Sequence, residues 1–160
     1  MRSLIRESLD LLNDRTPFAL AVIIGHKGST PRTSGSKMLV RPNKGISGTI
    51  GGGLVEAKVI DACVDLLDRS RSKIMDFNLN QEIKAGMDMV CGGSLTVWLR
   101  SFVPPCPLEQ IEVWQTLADL EAKGKKALAV IRITADKTAE ISLVLEQGEV
   151  AGPGMLPKAL

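Results

Sequence analysis

The chain has 160 residues, 44% hydrophobic and 24% charged, with a formal net charge of +2. That balance fits one globular domain with a core of its own and excludes a disordered segment. The small charge and scarce aromatics (three Phe, two Trp, no Tyr) argue against nucleic acid as a partner.

Residues 2–14 place Leu4, Ile5, Leu9 and Leu12 at helical spacing, predicting an amphipathic helix. The opening MRSLIRESLDLLND lacks the apolar core of a signal peptide. The longest apolar run, Phe18 to Ile24, is too short to span a bilayer. A cytoplasmic location with no membrane partner is therefore expected. PFALAVIIGH, beginning at Pro17, reads as a strand buried on both faces. KMLVRP and GISGTI flank NKG and predict a hairpin turning at Asn43 to Gly45.

From Leu54 to Arg69, the positions Val55, Val59, Ala62, Cys63, Leu66 and Leu67 follow a helical period. SKIMDFNL and GSLTVWLRSFV are strand candidates, the second with Leu95, Val97 and Leu99 on one face. PPCP, residues 104–107, is a proline-stiffened loop or a sub-domain seam. Leu108, Ile111, Trp114, Leu117 and Ala118 mark another long helix, and KALAVIRIT with AEISLVLEQ predicts an antiparallel pair around ADKT. The Gly- and Pro-rich tail from Gly148 carries little pattern. The expected fold is α/β: a mixed β-sheet flanked by helices, in a single domain over residues 1–160.

Three glycine-rich stretches lie between these elements. In GHKGSTPRTSGSKMLV, Gly25 to Val40, hydroxyls from Ser29 and Thr30 stand beside Lys27, Arg32 and Lys37. With His26, Arg41 and Lys44, these cations fall within residues 26–44, which contain no acid. Such a patch suits a small anion, which Arg grips with two parallel hydrogen bonds; a solvated surface loop is the plainer alternative. His26 is a general base or a hydrogen-bonded loop residue.

GTIGGGLVE, Gly48 to Glu56, sets Gly51, Gly52 and Gly53 directly before a helix, where exposed N–H groups and the helix dipole favour an anion. It is neither a G-x-G-x-x-G fingerprint nor a P-loop. Glu56 on the first turn either caps the helix or receives a ligand. GMDMVCGG, Gly86 to Gly93, puts Cys91 after Asp88 and before Gly92 and Gly93, open to approach or serving as a small filler. Cys63, on an apolar helix face, reads as inert, and Cys106 has no activating neighbours. Three cysteines without a C-x-x-C pair, and one His, suggest neither a disulfide framework nor a four-ligand zinc site.

Taken together, the segments Gly28-Ser29-Thr30-Pro31-Arg32 with Gly35 and Lys37 to Val40, then Gly48 to Glu56, then Cys91-Gly92-Gly93, resemble the N-terminal domain of the XdhC/CoxI family of bacterial xanthine dehydrogenase accessory proteins. The most distinctive part spans residues 18–100. The resemblance implies a maturation chaperone that binds the molybdenum cofactor, as molybdopterin or its dinucleotide form. Such a chaperone protects the cofactor, assists its sulfuration, and delivers it to an apo-molybdoenzyme of the xanthine dehydrogenase or aldehyde oxidase type.

Cofactor-binding candidates are Ser29, Arg32, Lys37, Gly51, Gly52, Gly53, Glu56, Asp88, Gly92 and Gly93. Arg32 or Lys37 suits the phosphate, Glu56 or Asp88 the pterin edge, and Cys91 a molybdenum contact or sulfur transfer. A cysteine desulfurase and a second copy of the chain are further expected partners. Family members commonly continue into a C-terminal Rossmann-like domain, whereas this chain stops at Leu160; the readings are a stand-alone short form, one half of a split pair with a separate Rossmann-like partner, or a truncated chain. The competing reading is a nucleotide- or phosphate-binding enzyme, or a sulfur carrier using Cys91.

Overall fold

The computed structural model describes residues 3–79, 92–133, 139–145 and 150–151. The chain divides into two compact units, Pro17–Val103 and Met1–Thr16 with Pro104–Leu160. The boundary after Val103 falls at the proline segment, where the sequence left a seam open.

The larger unit is built on β1 (Phe18–Gly28), β2 (Lys37–Val40), β3 (Ile46–Gly48), α2 (Gly53–Asp65), β4 (Ser72–Asn78) and β5 (Gly93–Phe102). Its sheet has the order β3-β2-β1-β5-β4. The expected α/β organisation is present, and its ladders are antiparallel throughout, a narrower arrangement than the mixed sheet expected. The reason lies in α2. That crossover joins β3 and β4, which run the same way but occupy opposite edges, so like-directed strands never become neighbours. The β2–β3 hairpin turns at Asn43 to Gly45 as expected, with Arg41 N–H donating to Gly45 O (2.9 Å) and Lys44 at φ 62°.

Beta-branched and aliphatic residues at alternate positions of the strands form one side of the core. Ala19, Ala21, Ile23, Met38, Val40, Leu95, Val97 and Leu99 meet Val55, Val59, Ala62, Cys63 and Leu66 of α2. The spacing of that helical set puts it on one stripe. Phe18, Leu20, Val22, Trp98 and Phe102, on the other face, are buried as well. Both faces of β1 are therefore covered, which accounts for its unbroken apolar run. Phe18 and Phe102, register partners, stack with ring centroids 4.9 Å apart at the start of β1.

The smaller unit holds α1 (Leu4–Asn13), α3 (Leu108–Ala122) and the antiparallel strands β6 (Ala127–Ile133), β7 (Ala139–Leu145) and β8 (Val150–Ala151). Ser3 caps α1 by accepting from Arg6 N–H (3.1 Å), and its hydroxyl donates to Glu121 of α3, tying the two packed helices together. Among the described residues, no helix is long and apolar enough to cross a membrane.

Candidate functional site

Strand directions bring the glycine stretches to one end of the sheet. β1 and β3 finish there, β2 and β5 begin there, and α2 starts from the same end. Contacts between the loops are closer than side chains allow. Gly28 and Gly93 are register partners. A Cβ on Gly93 would collide with the Lys27 carbonyl oxygen and lie 2.6 Å from that of Ser29 and 2.9 Å from Thr30 Cγ2. A Cβ on Gly28 would lie 2.8 Å from the Gly92 carbonyl oxygen. On the opposite flank, a Cβ on Gly51 would lie 2.8 Å from Pro31 Cγ and 3.7 Å from Arg32 Cγ. The segment Gly28 to Arg32 is thus wedged between Gly51 on one flank and Gly92–Gly93 on the other.

Within the first loop, Ser34 N–H donates to His26 Nδ1 (3.2 Å), and the Ser34 hydroxyl lies 2.8 Å from the same nitrogen. An accepting Nδ1 leaves the neutral ring's proton on Nε2. His26 therefore braces its own loop, the second of its two sequence readings. Thr30 donates to Arg32 O (2.8 Å) and Lys37 Nζ to Gly35 O (2.9 Å). Lys27, Ser29, Arg32 and Lys37 are exposed.

The cation cluster read from the sequence is divided by the fold. Lys44 pairs with Asp61 of α2 (2.8 Å), which raises its pKa, and Arg41 donates to Ser47 Oγ (3.0 Å) inside the hairpin. Lys27, Arg32 and Lys37 belong to the site end, while Lys44 is neutralised at the hairpin turn.

The glycine loop itself differs from its sequence expectation. Gly51, Gly52 and Gly53 all take positive φ, at 130°, 78° and 62°. Backbone conformation alone demands glycine at these three positions. Their N–H groups do not all face outward. Ile50 N–H and Gly52 N–H donate to Glu56 Oε2 (both 3.1 Å), and Gly51 N–H donates to Thr49 Oγ1 (3.1 Å). Thr49 in turn donates to the same Glu56 oxygen (2.6 Å). Glu56 thus organises the loop that precedes its helix. Thr49 is the residue that sequence reasoning missed; a hydroxyl two positions before the glycine run and an acid three positions after it were the available signal. The Gly52 cap carries no side-chain hydrogen bond to the start of α2.

Burial pushes the Cys63 thiol up to about 12, consistent with an inert core residue. Asp88 and Cys91 lie outside the described residues; Gly92 and Gly93, which follow Cys91, sit against the first loop. Among the described residues, no group of three or more His, Cys, Asp or Glu is placed to hold a metal ion.

Among the described residues, an antiparallel sheet with the α2 crossover, and Gly28–Arg32, Thr49–Gly52 and Gly92–Gly93 brought together at one end, define an α/β unit with a candidate site. Residues 11–78 match the model of the XdhC and CoxI family. It is similar to the uncharacterized protein YqeB of Escherichia coli (strain K12), at 35% identity over 97 residues, 61% of this chain and 18% of that protein. A crystal structure described as a xanthine dehydrogenase from Bacillus halodurans superposes with a TM-score of 0.74 at 19% identity, over 96% of this chain and 46% of its own. The latter likeness shows a shared fold. This chain spans under half the length of either.

Proposed function

We propose that this domain binds molybdopterin as cargo and serves as an accessory factor in the maturation of a xanthine dehydrogenase-type enzyme. The observation that carries this reading is the convergence of three stretches, Gly28–Arg32, Thr49–Gly52 and Gly92–Gly93, which lie apart in sequence and interlock at one end of the sheet. The family-model match over residues 11–78 and the fold shared with a protein described as a xanthine dehydrogenase support the choice of client.

In this reading the exposed Arg32 and Lys37 hold the cargo's phosphate, Arg32 through paired hydrogen bonds. The pterin lies across the glycine backbone, where close approach is open. Asp88 meets the pterin edge, and Cys91 takes the role of metal contact or sulfur acceptor, with a cysteine desulfurase as sulfur donor. A Rossmann-like partner chain and a homodimer belong to the same proposal. The nucleotide-binding alternative needs the glycine loop as a phosphate cradle, and that loop commits its Ile50, Gly51 and Gly52 N–H groups internally.

The test is anaerobic mixing of the purified protein with molybdopterin, followed by gel filtration and quantification of pterin in the protein peak. Stoichiometric co-elution is expected, with less pterin retained by Arg32→Ala. Pterin that elutes wholly apart from the protein overturns the reading.

A further inference from the structure

Glu56 stands at the junction of the site, and its surroundings give it a role that neither capping nor ligand contact describes. One carboxylate oxygen, Oε2, gathers the Thr49 hydroxyl and the N–H groups of Ile50 and Gly52. Thr49 Oγ1, so held, takes the N–H of Gly51. Every amide from Ile50 to Gly52 is thereby fixed from within. The loop is shaped so that Gly51 faces the Pro31 ring with no room for a side chain: a Cβ there would lie 2.8 Å from Pro31 Cγ and 3.7 Å from Arg32 Cγ.

Two consequences follow. A carboxylate already occupies the positive start of α2, so a second anion placed there meets like-charge repulsion. The neighbouring cation that the loop supports is Arg32, at the far side of the Gly51–Pro31 contact.

We propose that Glu56 is a positioning residue: through Thr49 and Gly51 it seats Pro31 and Arg32, and so aims the Arg32 guanidinium at the anionic group of the ligand. The inference rests on the preceding reading that this group is a phosphate held by Arg32.

The experiment uses wild type, Glu56→Gln, Arg32→Ala and the double variant, with Thr49→Val as a second route to the same loop if Glu56→Gln does not fold. Amide exchange comes first and needs no ligand. Ser34, Gly35 and Ser36 donate to His26 Nδ1, Ile23 O and Thr33 O, and their protection reports the order of the Arg32 loop. Glu56→Gln is expected to speed their exchange about tenfold relative to the β1–β5 ladder. Faster exchange confined to residues 49–52 overturns the proposal.

Affinity for molybdopterin is the second readout. Glu56→Gln is expected to weaken binding about tenfold when Arg32 is present and to change nothing when Arg32 is Ala. An equal loss in both backgrounds overturns the positioning role. Wild type that binds no molybdopterin sinks the functional reading instead, and the exchange result still decides whether Glu56 orders the loop.

Discussion

Gly28 and Gly93 face each other at the site end of the β1–β5 ladder, and neither has room for a side chain. Because the obstructing atoms at Gly93 include two backbone oxygens, a methyl group there can be relieved only by parting the strands. Gly93→Ala is expected to cost about 3 kcal/mol, as overpacking against rigid neighbours does. Gly35, at φ 91° with nothing within 4 Å of a Cβ, is the comparison. Gly35→Ala bears only the left-handed backbone penalty, about 1 kcal/mol. Urea unfolding of the two variants checks the order.

The hydroxyl of Thr49 both donates to Glu56 and accepts from Gly51. Thr49→Val keeps the shape and removes both bonds, with an expected loss of about 1–2 kcal/mol. Thr49→Ser restores them and is expected to recover most of the loss. Equal stability of the Val and Ser variants in thermal unfolding would refute the network.

Cys63 supplies a pH dependence of known sign. Its folded-state thiol stays protonated up to about 12, against 9.0 for a thiol in water, because burial penalises the thiolate. The unfolded chain releases that proton first, so this contribution is complete below about pH 9 and falls as the pH rises towards 12. The decline approaches about 4 kcal/mol at the upper limit. Cys63→Ala is expected to flatten that part of the stability profile. Alkylation at pH 8 should leave Cys63 unmodified until the protein unfolds.

Lys44 and Arg32 separate the cations by role. Lys44 is engaged by Asp61 away from the site end, so Lys44→Ala is expected to leave molybdopterin affinity unchanged. Arg32→Ala is expected to lower it about tenfold. Titrations that show equal losses would reduce both residues to a general electrostatic contribution.

Most of the elements were legible because each carries one dominant pattern. The apolar run of β1, the Asn43–Gly45 turn and the stripe from Val55 to Leu66 all fall where expected. Antiparallel pairing throughout was not legible, since it depends on which edge the α2 crossover reaches. At the site, the three glycine stretches were visible as composition, but their interlocking needs the register of β1 on β5. The inward turn of the Gly51 and Gly52 amides was hidden for another reason. A glycine run permits either orientation, and Glu56 with Thr49 selects one. The split of the cation cluster depended on Asp61, an acid from outside residues 26–44.

The irregularity between Ile23 and Gly25 in the β1–β5 pairing has a consequence for the lone imidazole. Ile23 faces Val97 and Gly25 faces Thr96, so Ile24 is one residue more than the partner strand provides. Side chains alternate sides with every step, and a single supernumerary residue inverts their parity from that point onward. His26 consequently pairs with Leu95 and shares the side of the sheet that α2 covers. Excising Ile24 would turn the ring to the opposite side and deprive Ser34 of its acceptor. The handedness of the whole loop's attachment is thus decided by one bulged aliphatic residue several positions before it.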